Sequence, residues 1–154
     1  MVAEKALEFE QGPIRPPSEA GSLLIRATRN CPWNRCAFCV TYKGKKFSRR
    51  SLDEIISDID TAKKIKDTIK EMSWRAGDGG KLTRRVLSEI AQDASLPDSF
   101  RSVAFWMASG GKTVFLQDAN SIMLSTETLI AILNHIKKVF PEVERVTSYA
   151  RAVT

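Results

Sequence analysis

Three short apolar runs alternate with stretches of helical periodicity, and this alternation limits the folds open to the chain more than any other feature. The runs are Ser22-Leu23-Leu24-Ile25-Arg26-Ala27-Thr28, Lys112-Thr113-Val114-Phe115-Leu116-Gln117 and Val143 to Tyr149. Each is brief and carries β-branched or aromatic residues, the pattern of a largely buried strand. Between the first two, Ser51 with Glu54 three residues on makes a capping box, and Leu52, Ile55, Ile56, Ile59 and Ala62 repeat on one helical face. A second amphipathic helix is predicted from Ser125 to Phe140, with Leu129, Ile132, Leu133, Ile136 and Phe140 on its stripe and Pro141 at its end. Strands that alternate with helices build a parallel sheet through right-handed βαβ crossovers. The fold class is therefore α/β.

The stretch 67–111 is less regular and reads as a helical insertion. Its turn, Gly77-Asp78-Gly79-Gly80, precedes a helical pattern at Leu82, Val86 and Ile90, and Pro97-Asp98 opens another helix with Phe100, Val103, Ala104 and Met107 inward. Ahead of the first strand, residues 1–20 include Gly12-Pro13-Ile14-Arg15-Pro16-Pro17, whose prolines favour an extended arm outside the core. The remainder, 21–154, is one α/β unit.

With 43% apolar and 27% charged residues, the chain has ordinary globular composition. No apolar run approaches the roughly 18 residues of a membrane span, and the first residues lack the apolar segment of a secretory signal. A cytoplasmic, membrane-free protein is the expectation. In a reducing compartment the three cysteines, Cys31, Cys36 and Cys39, read as metal ligands or redox groups rather than disulfide partners.

These cysteines form a C-x4-C-x2-C cluster, Cys31-Pro32-Trp33-Asn34-Arg35-Cys36-Ala37-Phe38-Cys39, on the loop leaving the first strand. Loops at the carboxyl ends of parallel strands are where α/β proteins build their sites. Structural zinc and simple electron-transfer clusters take four protein ligands, whereas this loop offers three thiolates. His135, the one histidine, falls off the apolar stripe of its helix and reads as a solvated surface residue, not as a fourth ligand. Three thiolates leave one iron of a 4Fe-4S cube open, and an open metal position is where substrate or cofactor binds.

A strand, a loop of three clustered cysteines with an aromatic residue just before the last, and then a helix together resemble the radical S-adenosylmethionine enzymes. The resemblance runs from about Gly21 to the end, although the first cysteine gap is one residue longer than the family's usual C-x3-C-x2-C. It implies the N-terminal portion, about three βα units, of a partial TIM-type (β/α)6 barrel. It also implies that Cys31, Cys36 and Cys39 hold three irons of a 4Fe-4S cluster while S-adenosylmethionine chelates the fourth. Reductive cleavage of the sulfonium would then give methionine and a 5'-deoxyadenosyl radical that takes hydrogen from a substrate. Phe38 would touch the adenine, Gln117 and above all Asp118 would receive the methionine amino group, and Ser148 and Arg151 would contact ribose or carboxylate. The implied partners are an external electron donor such as a flavodoxin or ferredoxin and a second chain completing the barrel.

The net charge is +6, and Tyr42 to Arg50 reads as a basic turn. That stretch is taken first as a solvated loop, then as electrostatic support for an anionic cluster, and last as a nucleic-acid contact. The competing function is a non-enzymatic zinc or nucleic-acid binding module using the same three-cysteine loop and basic stretch. By the same resemblance, a six-unit barrel needs about 180 residues at roughly 30 per βα unit. The 154 residues, with their insertion, are thus expected to hold the cofactor-binding part of that domain, alone or with a partner.

Overall fold

The structure is a computed structural model that describes residues 7–151. The first six residues of the expected arm and the last three of the chain lie outside the described residues. Strand β1 (Leu23–Arg26) leads through a short β2 (Thr28–Arg29) into the cysteine loop, and β3 (Ser48–Arg49) returns from it. Helices α1 (Leu52–Arg75), α2 (Arg84–Gln92) and α3 (Asp98–Ala108) follow, then β4 (Thr113–Gln117), α4 (Thr126–Val139) and β5 (Arg145–Ser148).

The main sheet is three-stranded, ordered β1-β4-β5, and parallel throughout. Its register sets Ile25 beside Leu116 and Arg26 beside Gln117, with Leu116 in turn beside Ser148. Side chains alternate across a strand, so Leu23, Ile25, Val114 and Leu116 join the helical core cluster, while the intervening Phe115 meets Tyr149 edge-on at 5.2 Å. The second sheet is the antiparallel β2-β3 pair, Thr28 opposite Arg49, and it closes the base of the segment that carries the cysteines.

The capping box at Ser51 and Glu54 is present in full, and α1 starts where the sequence places it. The helix does not stop near residue 67, however. Ile55, Ile59, Ala62, Ile65 and Ile69 are all fully buried, so the apolar stripe continues without a break and the boundary at 67 falls inside α1. Its end comes at Gly77, where φ is +82°, a left-handed backbone conformation that glycine adopts without strain. The intervening helices are accordingly α2 and α3, and they belong to the core. Trp106 of α3 is 1% exposed and meets Phe140 edge-on at 5.1 Å, with the Lys66 ammonium over both rings.

Two further expectations change. Leu133, predicted on the inner stripe of α4, is exposed. The N-terminal arm, expected outside the core, carries buried Phe9 into the main cluster and donates its Phe9 N–H to Ser99 of α3 at 3.2 Å. Among the described residues no helix is long and apolar enough to cross a membrane.

Trp106 tests whether the helices between α1 and β4 are integral. Deleting a buried tryptophan loses transfer energy and leaves a cavity, so Trp106→Ala is expected to lower unfolding free energy by about 3–5 kcal/mol. Urea denaturation read by far-ultraviolet circular dichroism checks this; a loss below about 1 kcal/mol would mean that α3 is peripheral.

Candidate functional site

The carboxyl ends of β1, β4 and β5 lie side by side, and the cysteine loop rises from the first of them. Cys31, Cys36 and Cys39 are free thiols of intermediate exposure. Among the described residues no three histidine, cysteine, aspartate or glutamate side chains are gathered closely enough to hold one metal ion. Three thiols are donors of the kind a thiophilic metal group takes, and ligation would require the loop to draw them together.

What is fully organised is the support beneath the loop. Asp118 sits just past β4, is 1% exposed, and uses both carboxylate oxygens within the chain. Oδ2 accepts from Arg26 Nη2 at 2.6 Å, from Arg26 Nε at 3.0 Å and from the Asn30 backbone N–H at 3.0 Å. Oδ1 accepts from the Tyr42 hydroxyl. Asn30 directly precedes Cys31, and Tyr42 is the third residue after Cys39. One carboxylate therefore grips both ends of the segment that holds the three cysteines. Asn30 adopts the left-handed region at φ +66° and its side-chain amide donates to the Lys46 carbonyl at 2.7 Å. Asn34 Nδ2 does the same to the Lys45 carbonyl at 3.0 Å, stitching the loop to the residues that lead into β3.

Burial pushes the Tyr42 phenol above its usual range, and its bond to Asp118 and the carboxylate's charge add to the rise. Tyr42 therefore remains a neutral hydroxyl and a donor. A hydrogen bond to a charged group contributes about 1.5–3 kcal/mol, and breaking a buried ion pair such as Arg26–Asp118 costs about 3–5 kcal/mol.

The arm crosses the same end of the sheet. Gln117 accepts from the Gly12 N–H at 2.8 Å and donates to the Ile14 carbonyl at 2.7 Å. A Cβ on Gly12 would lie 2.7 Å from Asp118 Oδ1, so only glycine permits this approach. Glu10 accepts from Arg26 at 2.9 Å and from Arg29 at 2.8 Å and 2.7 Å. Arg29 also reaches Glu54 at 2.8 Å. Arg50, expected in a solvated basic loop, is buried and donates to Asp58 at 2.6 Å and to the Arg26 carbonyl at 2.7 Å. Lys43, Lys45, Lys46 and Arg49 are exposed, as a solvated loop requires.

The candidate residues thus divide. Gln117 and Asp118, expected to receive the methionine amino group, use their side chains on the arm and on the loop stems. Phe38 stands on the loop, 87% exposed. Ser148 donates to the Tyr149 carbonyl at 2.8 Å. Arg151 stacks over the Trp33 ring at 3.6 Å, which joins the end of β5 to the cysteine loop. His135 is not simply solvated: its Nε2 lies 2.7 Å from Asp60 of α1, which makes it an inter-helix contact. Tyr42, Arg26, Asn30, Glu10 and Gly12 were not singled out as site residues. The one available signal was the pair of hydrogen-bonding side chains, Asn30 and Tyr42, that flank the cysteine cluster.

No protein-family model, curated protein or solved structure matches this chain.

The ionic lattice gives a pH prediction. The hydrogen bond from Arg29, with help from the Ser51 backbone, holds the Glu54 carboxyl down to about 2 from an ordinary 4.5. Arg29 likewise lowers Glu10, aided by the charges of Arg50 and Arg26 and opposed by partial burial. As pH falls below 4.5 the unfolded chain binds protons first, so the stability these groups contribute at neutral pH is lost as pH approaches their folded values. The urea midpoint is expected to drop from about pH 5 to about pH 3, with a shallower drop in Glu54→Gln, which keeps the cap but not the charge. Identical slopes for both proteins would remove Glu54 from the account.

Proposed function

We propose that this chain is a radical S-adenosylmethionine protein, or the cofactor-binding part of one, in which Cys31, Cys36 and Cys39 would hold a 4Fe-4S cluster. The observation that carries this reading is the placement of three free thiols on one loop at the carboxyl edge of a parallel sheet, with the loop's two stems fixed by a single buried carboxylate. Such a cluster would supply one-electron reduction of bound S-adenosylmethionine, with carbon–sulfur cleavage to methionine and a hydrogen-abstracting 5'-deoxyadenosyl radical. An external one-electron donor of the flavodoxin or ferredoxin kind supplies that electron.

The chain's own residues have narrower tasks. The backbone at Phe38, on the exposed crest of the loop, is read as an adenine contact. Ser148 and Arg151 at the end of β5 are read as contacts for ribose or carboxylate, and the stack of Arg151 on Trp33 sets that end against the loop. Exposed Lys43 and Lys45 bring positive charge beside the cysteine segment, which favours an anionic cluster. On this reading the β1-β4-β5 sheet is the first part of a (β/α)6 partial barrel, continued along the β5 edge by further βα units or by a second chain.

Anaerobic reconstitution with iron and sulfide tests the proposal. The expected product has the absorbance of a 4Fe-4S cluster and, after reduction, a paramagnetic signal that changes on adding S-adenosylmethionine. Cys36→Ser is expected to abolish assembly. A protein that takes up zinc alone, or no metal under these conditions, would overturn the proposal in favour of a binding module.

A further inference from the structure

We propose that Asp118 and Tyr42 are positioning residues for the cysteine loop, a staple that holds its two stems at one point so that the three thiols share one ligand. This rests on the reading of the cysteines as a metal-binding set, and it gives Asp118 a role different from cofactor contact.

The geometry is specific. Stem one enters at Asn30, whose backbone N–H meets Asp118 Oδ2 at 3.0 Å; stem two leaves at Tyr42, whose hydroxyl meets Asp118 Oδ1. The eleven residues between them, 31–41, hold all three cysteines, and every one of those residues is half-buried or exposed. Within the segment the backbone supplies little order of its own, the Cys39 N–H donating to the Cys36 carbonyl at 3.3 Å being one local bond. Closing a loop costs entropy that grows with the number of free residues between its fixed points. Without the staple the next ties are exposed side-chain amides, Asn34 on the Lys45 carbonyl and Asn30 on the Lys46 carbonyl, with the β2-β3 ladder, Arg29 opposite Ser48, behind them. The span from Asn30 then lengthens to residues 31–45, or to 30–47 at the ladder. A shorter span raises the effective concentration of each thiol near the other two, which strengthens ligation without adding a ligand.

The carboxylate is itself fixed from below. Arg26 holds Oδ2 through both Nε and Nη2, two charge-assisted bonds to one oxygen. Glu10 in turn holds Arg26 Nη1 at 2.9 Å. Position is therefore transmitted from the sheet, through Arg26 and Asp118, to both stems. Removing the Tyr42 hydroxyl releases the second stem alone and leaves the buried ion pair intact, so Tyr42→Phe is the informative variant.

Two measurements on the whole protein separate the staple from the metal reading. Hydrogen exchange of the metal-free protein, read by mass spectrometry, is expected to show faster exchange in Tyr42→Phe over residues 31–41, with α1 and α4 unchanged. Anaerobic titration with Co(II), followed by the thiolate-to-cobalt charge-transfer band, is expected to show affinity weakened about twofold, the scale that loop-closure entropy gives when the free span grows by about half. Ile59→Ala, a core variant remote from the loop, serves as control for general destabilisation and is expected to keep wild-type Co(II) affinity. Wild-type exchange over 31–41 in Tyr42→Phe overturns the staple. Wild-type Co(II) affinity in that variant, or equal weakening in Ile59→Ala, overturns its role in ligation. Faster exchange over 31–41 in a protein whose wild type binds no Co(II) supports the staple and overturns the metal reading alone.

Discussion

A carboxylate removed from water is stable only when charge and hydrogen bonds replace the water it lost. Asp118 meets that demand with a guanidinium, a backbone amide and a phenol, and these come from the end of β1, the start of the cysteine segment and its finish. The requirement works in both directions. Because the carboxylate cannot be left unsatisfied, the chain on either side of the cysteines is held to the sheet. Arg26 carries the constraint outward, since its remaining nitrogen binds Glu10 and so recruits the arm.

The helices supply a different kind of support. Helix α1 turns a continuous isoleucine stripe toward β1, α3 and α4, and its first turn offers Glu54 to Arg29 while Asp58, one turn on, takes Arg50. The same element thus seals the core along its length and anchors the ionic lattice at its start. Burial raises the Asp58 carboxyl and Arg50 opposes the rise, so the pair is a compromise between desolvation and attraction. Such lattices add modest stability, and their stronger effect is to fix geometry where the sheet ends.

The elements governed by neighbours in sequence were legible in it. The three strands, the caps at Ser51 and Ser125 and the breaks at Gly77 and Pro141 depend on contacts within a few residues. The length of α1 is hidden in the sequence because Lys63, Lys64, Lys66 and Asp67 interrupt the apolar pattern around Ile65 and Ile69, which pack inward. Leu133 was misplaced because helical spacing alone does not say how wide a face the neighbours cover. The cysteine cluster is legible from spacing, whereas Asp118 shows in the sequence only as a strand-end acid, and its bonds to the loop stems do not. Its partners lie 76, 88 and 92 residues away in the chain, and no local pattern joins them. Arm, strand end and loop meet only after folding.

The bare backbone of Gly12 against Asp118 carries one more consequence. A side chain there would displace the carboxylate, a displaced carboxylate would release Asn30 and Tyr42, and Arg26 would lose its partner. Positions 12, 26, 42 and 118, which meet through side chains or the lack of one, therefore do not vary freely of one another. In descendants of this sequence they should be inherited as a set, and a substitution at one is expected to persist only beside a compensating change at another.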